Sequence, residues 1–116
     1  MNAYPTKDLF REKRKLPIID IRTEQEWIQT GILEKSHTIT FFDEMGNYNI
    51  ESFLAELHGI IGKGKDNEFM LICRTGSRTG QIANYLAQSG YKPINLAGGI
   101  HYVLAQKSYE IVPYKK

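Results

Sequence analysis

Two brief, almost unbroken apolar runs constrain this chain more than any other feature: Leu16-Pro17-Ile18-Ile19-Asp20-Ile21-Arg22 and Glu68-Phe69-Met70-Leu71-Ile72-Cys73. Each is too short for a core helix, and neither alternates with polar residues as a half-exposed strand would. A strand apolar on both faces of its pleat must be covered on both, as in a sheet sandwiched between helices. Helix signals follow both runs. Thr23 and Glu26 have the spacing of a capping box, opening a helix with Trp27 and Ile28 on its apolar face and Gly31 at its end. After the second run, Ile82, Ala83, Leu86 and Ala87 share one face of a helix that Gly90 closes.

Between the runs, Asn49 is placed to cap a helix carrying Phe53, Leu54, Leu57, Ile60 and Ile61 on one face, with Gly62 and Gly64 beyond it. Residues 38–42 and 93–96 read as further strands, and residues 109–112 as a terminal edge strand. Ile100, Val103 and Leu104 mark a last helix. The basic segment Arg11 to Lys15, interrupted by Glu12, reads as a solvated helix end. Strands alternating with helices imply an α/β fold with a mostly parallel sheet, whose ligands bind beyond the carboxyl ends of the strands. Cys73 stands at such an end.

Length and charge limit what that end can do. The chain has 116 residues, the size of one domain, and the expected organisation is a single domain over residues 1–116. A formal charge of +2 provides no basic stripe for nucleic acid. The first ten residues hold no apolar run suited to a signal peptide or a membrane span, so a cytoplasmic location is expected. One cysteine excludes an internal disulfide or a Cys-x-x-Cys pair, and His37, His58 and His101 are scattered; neither a metal nor another cofactor is expected.

The segment Cys73-Arg74-Thr75-Gly76-Ser77-Arg78 joins a buried strand to a helix and suits an anion cradle. Gly76 permits a turn with positive φ, so that successive N–H groups converge on one centre. The helix N-terminus adds about half a positive charge, and Arg74 and Arg78 add whole ones. Such surroundings lower a cysteine from its free value of about 8.5 and make it a thiolate nucleophile near neutrality. A free cysteine is commonly only a small buried hydrophobe. A merely packed one, however, has no use for a cation-rich polar loop.

Four segments in order resemble the rhodanese family. Pro17-Ile18-Ile19-Asp20-Ile21-Arg22 is similar to its strand ending in Asp-x-Arg, and Thr23-Glu24-Gln25-Glu26-Trp27 to the acidic, aromatic-ended helix that follows. Phe69 to Arg78 resembles the active-site loop with its strand, and Asn95-Leu96-Ala97-Gly98-Gly99-Ile100 the double-glycine turn. The resemblance implies a central, mostly parallel five-stranded sheet flanked by helices, and a Cys73 that becomes a persulfide ringed by backbone N–H groups of residues 74–78. Donors would be thiosulfate, polysulfide or another protein's persulfide; acceptors would be cyanide, a thiol or a protein. The chain departs from the family pattern at Gly31-Ile32-Leu33, where Gly-His-Ile is common, and at Tyr102, where tryptophan is frequent.

Asp20 and Arg22 are expected to support the site rather than react, Arg22 by pairing with Glu26 and Asp20 by accepting loop N–H groups. Gly98 and Gly99 are expected where backbone passes close to the active loop. Two rival readings stand beside sulfur transfer. Cysteine-dependent phosphatases and arsenate reductases also cradle an anion, but the tyrosine-phosphatase type puts one more residue between cysteine and arginine than the four found here, and a thiol relay needs a second cysteine. Catalytically silent rhodanese-like binding modules usually lack the cysteine that this chain keeps.

Overall fold

A computed structural model describes residues 1–115. The central sheet has five strands, all parallel, in the order β1 (Asn2–Ala3), β6 (Lys92–Leu96), β5 (Glu68–Ile72), β2 (Ile18–Asp20), β4 (His37–Thr38). The two apolar runs are neighbours at its centre, with Ile18, Ile19 and Asp20 opposite Met70, Leu71 and Ile72. Period-two alternation sorts their side chains to two cores. Phe69, Leu71 and Cys73 join Ile19 and Ile21 against Phe53, Leu57 and Ile61 of α3 (Ile50–Ile61) and Ile82 and Leu86 of α4 (Ser77–Gln88). Met70 and Ile72 join Ile18, Ile94 and Leu96 against Phe10 of α1 (Lys7–Glu12) and Ile100 and Val103 of α5 (Gly99–Gln106). The absence of polar alternation in the two runs is thus explained by helices on both faces.

The caps behave as their residues predict. Asn49 Oδ1 accepts the Ser52 N–H at 3.0 Å to start α3, and Gly62 ends it at φ 86°. Thr23 and Glu26 form the reciprocal capping box of α2 (Glu24–Thr30). The chain leaves α2 through Gly31 at φ 81°, where a Cβ would stand 2.6 Å from the Val112 carbonyl oxygen.

Several elements differ from the sequence expectation. The strand expected over residues 38–42 pairs only at His37–Thr38, because β2 ends at Asp20; Ile39 and Phe41 N–H still donate to Asp20 and Ile21 carbonyls before the chain turns away. The terminal segment does not edge the main sheet: β7 (Ile111–Val112) pairs antiparallel with β3 (Ile32–Leu33) in a separate two-stranded ribbon. Ile28 is 62% exposed, since it lies about 100° round α2 from the buried Trp27 and faces away from the sheet. Leu104 is likewise exposed. β1, anchored on β6 through the Asn95 and Ala97 N–H groups, gave no sequence signal at two residues. Among the described residues, no helix is long and apolar enough to cross a membrane.

Candidate active site

The carboxyl ends of β2, β5 and β6 deliver Arg22, Cys73 and the Gly98–Gly99 turn to one edge of the sheet. Cys73 follows β5 directly, and three residues later Gly76, at φ 93°, starts α4 with no side-chain cap. A helix start of this kind leaves N–H groups for an acceptor inside the loop, and Cys73 Sγ takes the Gly76 N–H at 3.1 Å. The neighbouring turn repeats the arrangement: Gly98, at φ 81°, starts α5, again with no side-chain cap. Here the acceptors are carbonyls of the active loop, Cys73 O receiving Ile100 N–H at 2.9 Å and Arg74 O receiving His101 N–H at 3.1 Å. Because N–H and C=O of a trans peptide point oppositely, anchoring the Arg74 carbonyl on α5 turns the Thr75 N–H back to the sulfur, where it works to lower the thiol.

The two glycine turns interlock, and no larger residue fits. A Cβ on Gly76 would lie 2.9 Å from Gly98 N, and one on Gly99 would lie 2.4 Å from Cys73 O, both inside van der Waals contact with backbone. Gly99 therefore stands where close approach to the active loop demands it, whereas Gly98 is held to glycine by its φ of 81° and by Tyr102, whose Cβ would lie 2.8 Å from its own.

Cys73 is 1% exposed. Burial pushes its thiol up, but the Thr79 hydroxyl and N–H, with the Gly76 and Thr75 N–H groups, outweigh it and bring the thiol below its ordinary range. Thr79 Oγ1 lies 3.4 Å from Sγ and is itself buried. It also donates to Asn95 Oδ1, and Asn95 Nδ2 donates to Gly76 O at 3.2 Å and Asn2 Oδ1 at 2.9 Å.

The two arginines are not free charges in the cradle. Arg78 makes a bidentate pair with Glu26, Nη1 to Oε1 at 2.9 Å and Nη2 to Oε2 at 2.8 Å, and Arg74 Nη2 approaches the same carboxylate at 3.3 Å. Burial pushes the Glu26 carboxyl up, but Arg78, the Thr23 N–H and Arg74 together hold it at about 2. The Glu26 carboxylate in turn raises Arg78, with a smaller electrostatic contribution from Cys73. The arginines differ in setting: Arg74 is 54% exposed at the rim, whereas Arg78 is 32% exposed and doubly held. Thr75 and Ser77 lie at the surface, and Gly76 is buried beneath them.

Arg22 does not pair with Glu26 as expected. Its Nε and Nη2 donate to Asp20 Oδ1 and Oδ2 at 3.0 and 2.9 Å, Nη1 to Thr30 Oγ1 at 2.7 Å, and Nη2 also to the Gly31 carbonyl at 2.9 Å. Residues two apart on a strand share a face, so Asp20 meets Arg22 directly; its acceptor capacity serves Arg22, including the Arg22 N–H at 3.1 Å, rather than the active loop. The pair is fully buried and ties the end of β2 to the end of α2.

Three residues at this site escaped the sequence reading in their site roles: Glu26, taken as a cap and as the partner of Arg22, Thr79 and Asn95. A carboxylate in the helix after Asp-x-Arg and a hydroxyl in the first turn of α4 were the available signals; Asn95, polar between Ile94 and Leu96, was the third. Among the described residues, no group of three or more His, Cys, Asp or Glu side chains is placed to hold a metal ion.

Comparison with known proteins agrees with this geometry. The family model of the rhodanese-like domain matches residues 5–106. Over 78 residues, 65% of this chain, the sequence is 36% identical to the uncharacterised protein RP600 of Rickettsia prowazekii, and that match spans 60% of the relative's own length. It is 29% identical over 94 residues to YtwF of Bacillus subtilis, provisionally named a sulfurtransferase, covering 81% of this chain and 79% of that one. A crystal structure of a rhodanese-like domain protein from Staphylococcus aureus superposes with a TM-score of 0.65 at 22% identity, covering 97% of this chain and 99% of the other.

Proposed function

The chain belongs to the rhodanese-like domain family, and from that premise we propose that it is a sulfurtransferase carrying sulfane sulfur on Cys73. The observation that carries this reading is the single cysteine at an uncapped helix start, with Sγ 3.1 Å from the Gly76 N–H and 3.4 Å from the Thr79 hydroxyl. These groups favour the thiolate, which is the attacking form. With thiosulfate as donor, the Cys73 thiolate attacks the outer sulfur, the S–S bond of thiosulfate breaks, and sulfite leaves with the bonding pair. The terminal sulfur of the resulting persulfide is then attacked by cyanide or a thiolate, and the Cys73 thiolate departs as leaving group. Donor and acceptor use one site in turn, a ping-pong route.

In this reading Arg74, Thr75, Gly76, Ser77 and Arg78 bind the donor and the outer sulfur: the loop N–H groups by hydrogen bonding, Arg74 by attracting anions at the rim, and Arg78 by fixing the start of α4 to Glu26. Asp20, Arg22, Gly98 and Gly99 hold the frame. The four-residue spacing between Cys73 and Arg78 favours a single sulfur over a tetrahedral phosphate. The deciding measurement is intact-protein mass spectrometry after exposure to thiosulfate or polysulfide. Gain of one sulfur atom, its removal by cyanide and its absence in Cys73→Ser are expected. No gain from any donor, or efficient hydrolysis of an aryl phosphate, would overturn the reading.

A further inference from the structure

We propose that Asn95 is a positioning residue that competes with Cys73 Sγ for the single hydroxyl proton of Thr79, and so favours the resting thiol over the thiolate. β6 sends Ile94 and Leu96 into one core, while Asn95 points to the other side, where it is buried beside α4. A buried amide in a strand is costly unless its donors and acceptors are met, and this one is met on both sides. Gly76 O can only accept, so the nitrogen of the Asn95 amide must face it, at 3.2 Å. Asn2 Oδ1 lies on that same side at 2.9 Å. The oxygen of Asn95 therefore faces Thr79, which is its sole donor among the hydrogen bonds of the site.

Thr79 has one proton and three acceptors in reach: Asn95 Oδ1, Cys73 Sγ at 3.4 Å and Gly76 O at 3.3 Å. With Cys73 as thiol, S–H donates to Thr79 Oγ1 and the threonine proton goes to Asn95, so every group is paired. With Cys73 as thiolate, the threonine proton turns to Sγ and Asn95 Oδ1 is left buried without its donor. That loss works against ionisation. The charged groups on the surrounding elements do not change in this exchange: Asp20 and Arg22 at the end of β2 pair with each other, Glu26 of α2 pairs with Arg74 and Arg78, and His101 of α5 has its side chain exposed. Lys92 is the one ionisable residue of β6 and lies at the opposite end of that strand. The proposal rests on the sulfur-transfer reading for its use, because the inner sulfur of a persulfide needs no proton from Thr79 and Asn95 regains it on loading.

The test reads ionisation without any sulfur donor, so it is separable from sulfur transfer: the rate of Cys73 alkylation by iodoacetamide against pH, unambiguous because the chain has one cysteine. Asn95→Ala should lower the midpoint and raise the rate about fivefold on its acid side, the worth of one net hydrogen bond. Asn95→Leu, which fills the space, should act in the same direction. Thr79→Val should raise the midpoint, Thr79→Ser should restore it, and Asn95→Ala should have no further effect in the Thr79→Val background. A midpoint that rises or stays fixed in the Asn95 variants, or an equal shift with and without the Thr79 hydroxyl, overturns the proposal. Should both Asn95 variants fail to fold, Asn2→Ala, which removes one of the two acceptors that aim the amide oxygen at Thr79 and so weakens its hold on the threonine proton, must still lower the midpoint; no movement there counts against it.

Discussion

Arg22 and Arg78 each meet a carboxylate at the same edge of the sheet, yet the two pairs are opposite in kind. Arg22 and Asp20 are sealed from water and satisfied within β2 and the end of α2. Arg78 shares Glu26 with Arg74 at the border of the solvent, bridging two elements 52 residues apart in the chain. The first is fixed by proximity along a strand and serves the frame. The second exists only because the fold closes, and it sets how much positive charge the cradle offers an incoming anion. Together, a net charge of one is left on two arginines and one glutamate, so the pull on Sγ comes first from dipoles and hydroxyls.

Breaking the sealed pair should have the largest effect. Asp20→Ala leaves a buried guanidinium without its counter-charge, which costs about 3–5 kcal/mol. Denaturant unfolding should show that loss, whereas Arg78→Ala should cost far less because both partners reach water. Comparable losses in the two variants would erase the distinction between frame and rim.

Glu26→Gln sharpens the comparison from the other side. Glutamine keeps the capping box, so the fold should hold, but both arginines lose their counter-ion. The midpoint for Cys73 alkylation should fall, and the salt dependence of thiosulfate transfer should steepen. An unchanged midpoint would make Glu26 a cap and a strut only.

The same carboxylate predicts a pH effect on stability. Its folded value of about 2 is depressed below the ordinary 4.5. The contribution is therefore fully present above 4.5 and is lost as pH falls from there through 2. Native protein and Glu26→Gln should differ in acid sensitivity of unfolding only in that window.

The contrast also explains what the sequence disclosed. β2 and β5 were legible because burial on both faces removes polar alternation, and α2 and α3 because their caps are local in sequence. The loop from Cys73 to Arg78 was legible because its residue types state their chemistry together. β1 and β3 are two residues long, too short for any period to emerge; β7 lies inside the strand expected over residues 109–112, but its pairing with β3 could not be read. Glu26 was assigned to Arg22 because the two are near in the chain, but it meets Arg78 only in the folded sheet. Asn95 is one polar residue between Ile94 and Leu96, and nothing in its neighbours along the chain points to Thr79.

The smallest expected effect separates the two arginines that share Glu26. Arg74 has a single contact at 3.3 Å and stands more than half in solvent, whereas Arg78 is held by two short bonds. An exposed pair of the first kind is worth about 0–1 kcal/mol, so Arg74→Ala should leave stability almost unchanged. Its charge at the rim acts on an anion before the anion is bound, which raises capture rather than the reactivity of Sγ. The KM for thiosulfate should therefore rise about twofold to threefold with kcat nearly constant, the signature of lost uniform binding. Arg78→Ala should lower kcat as well, because the start of α4 loses its anchor on Glu26 and the N–H groups around Sγ lose their aim. Added salt screens an exposed charge more than a half-buried, bidentate one. The native KM should thus climb with ionic strength, and the Arg74→Ala enzyme should climb less. Equal defects in both variants with equal salt responses would show that the two arginines act as one cluster, and that Glu26 divides its charge evenly between them.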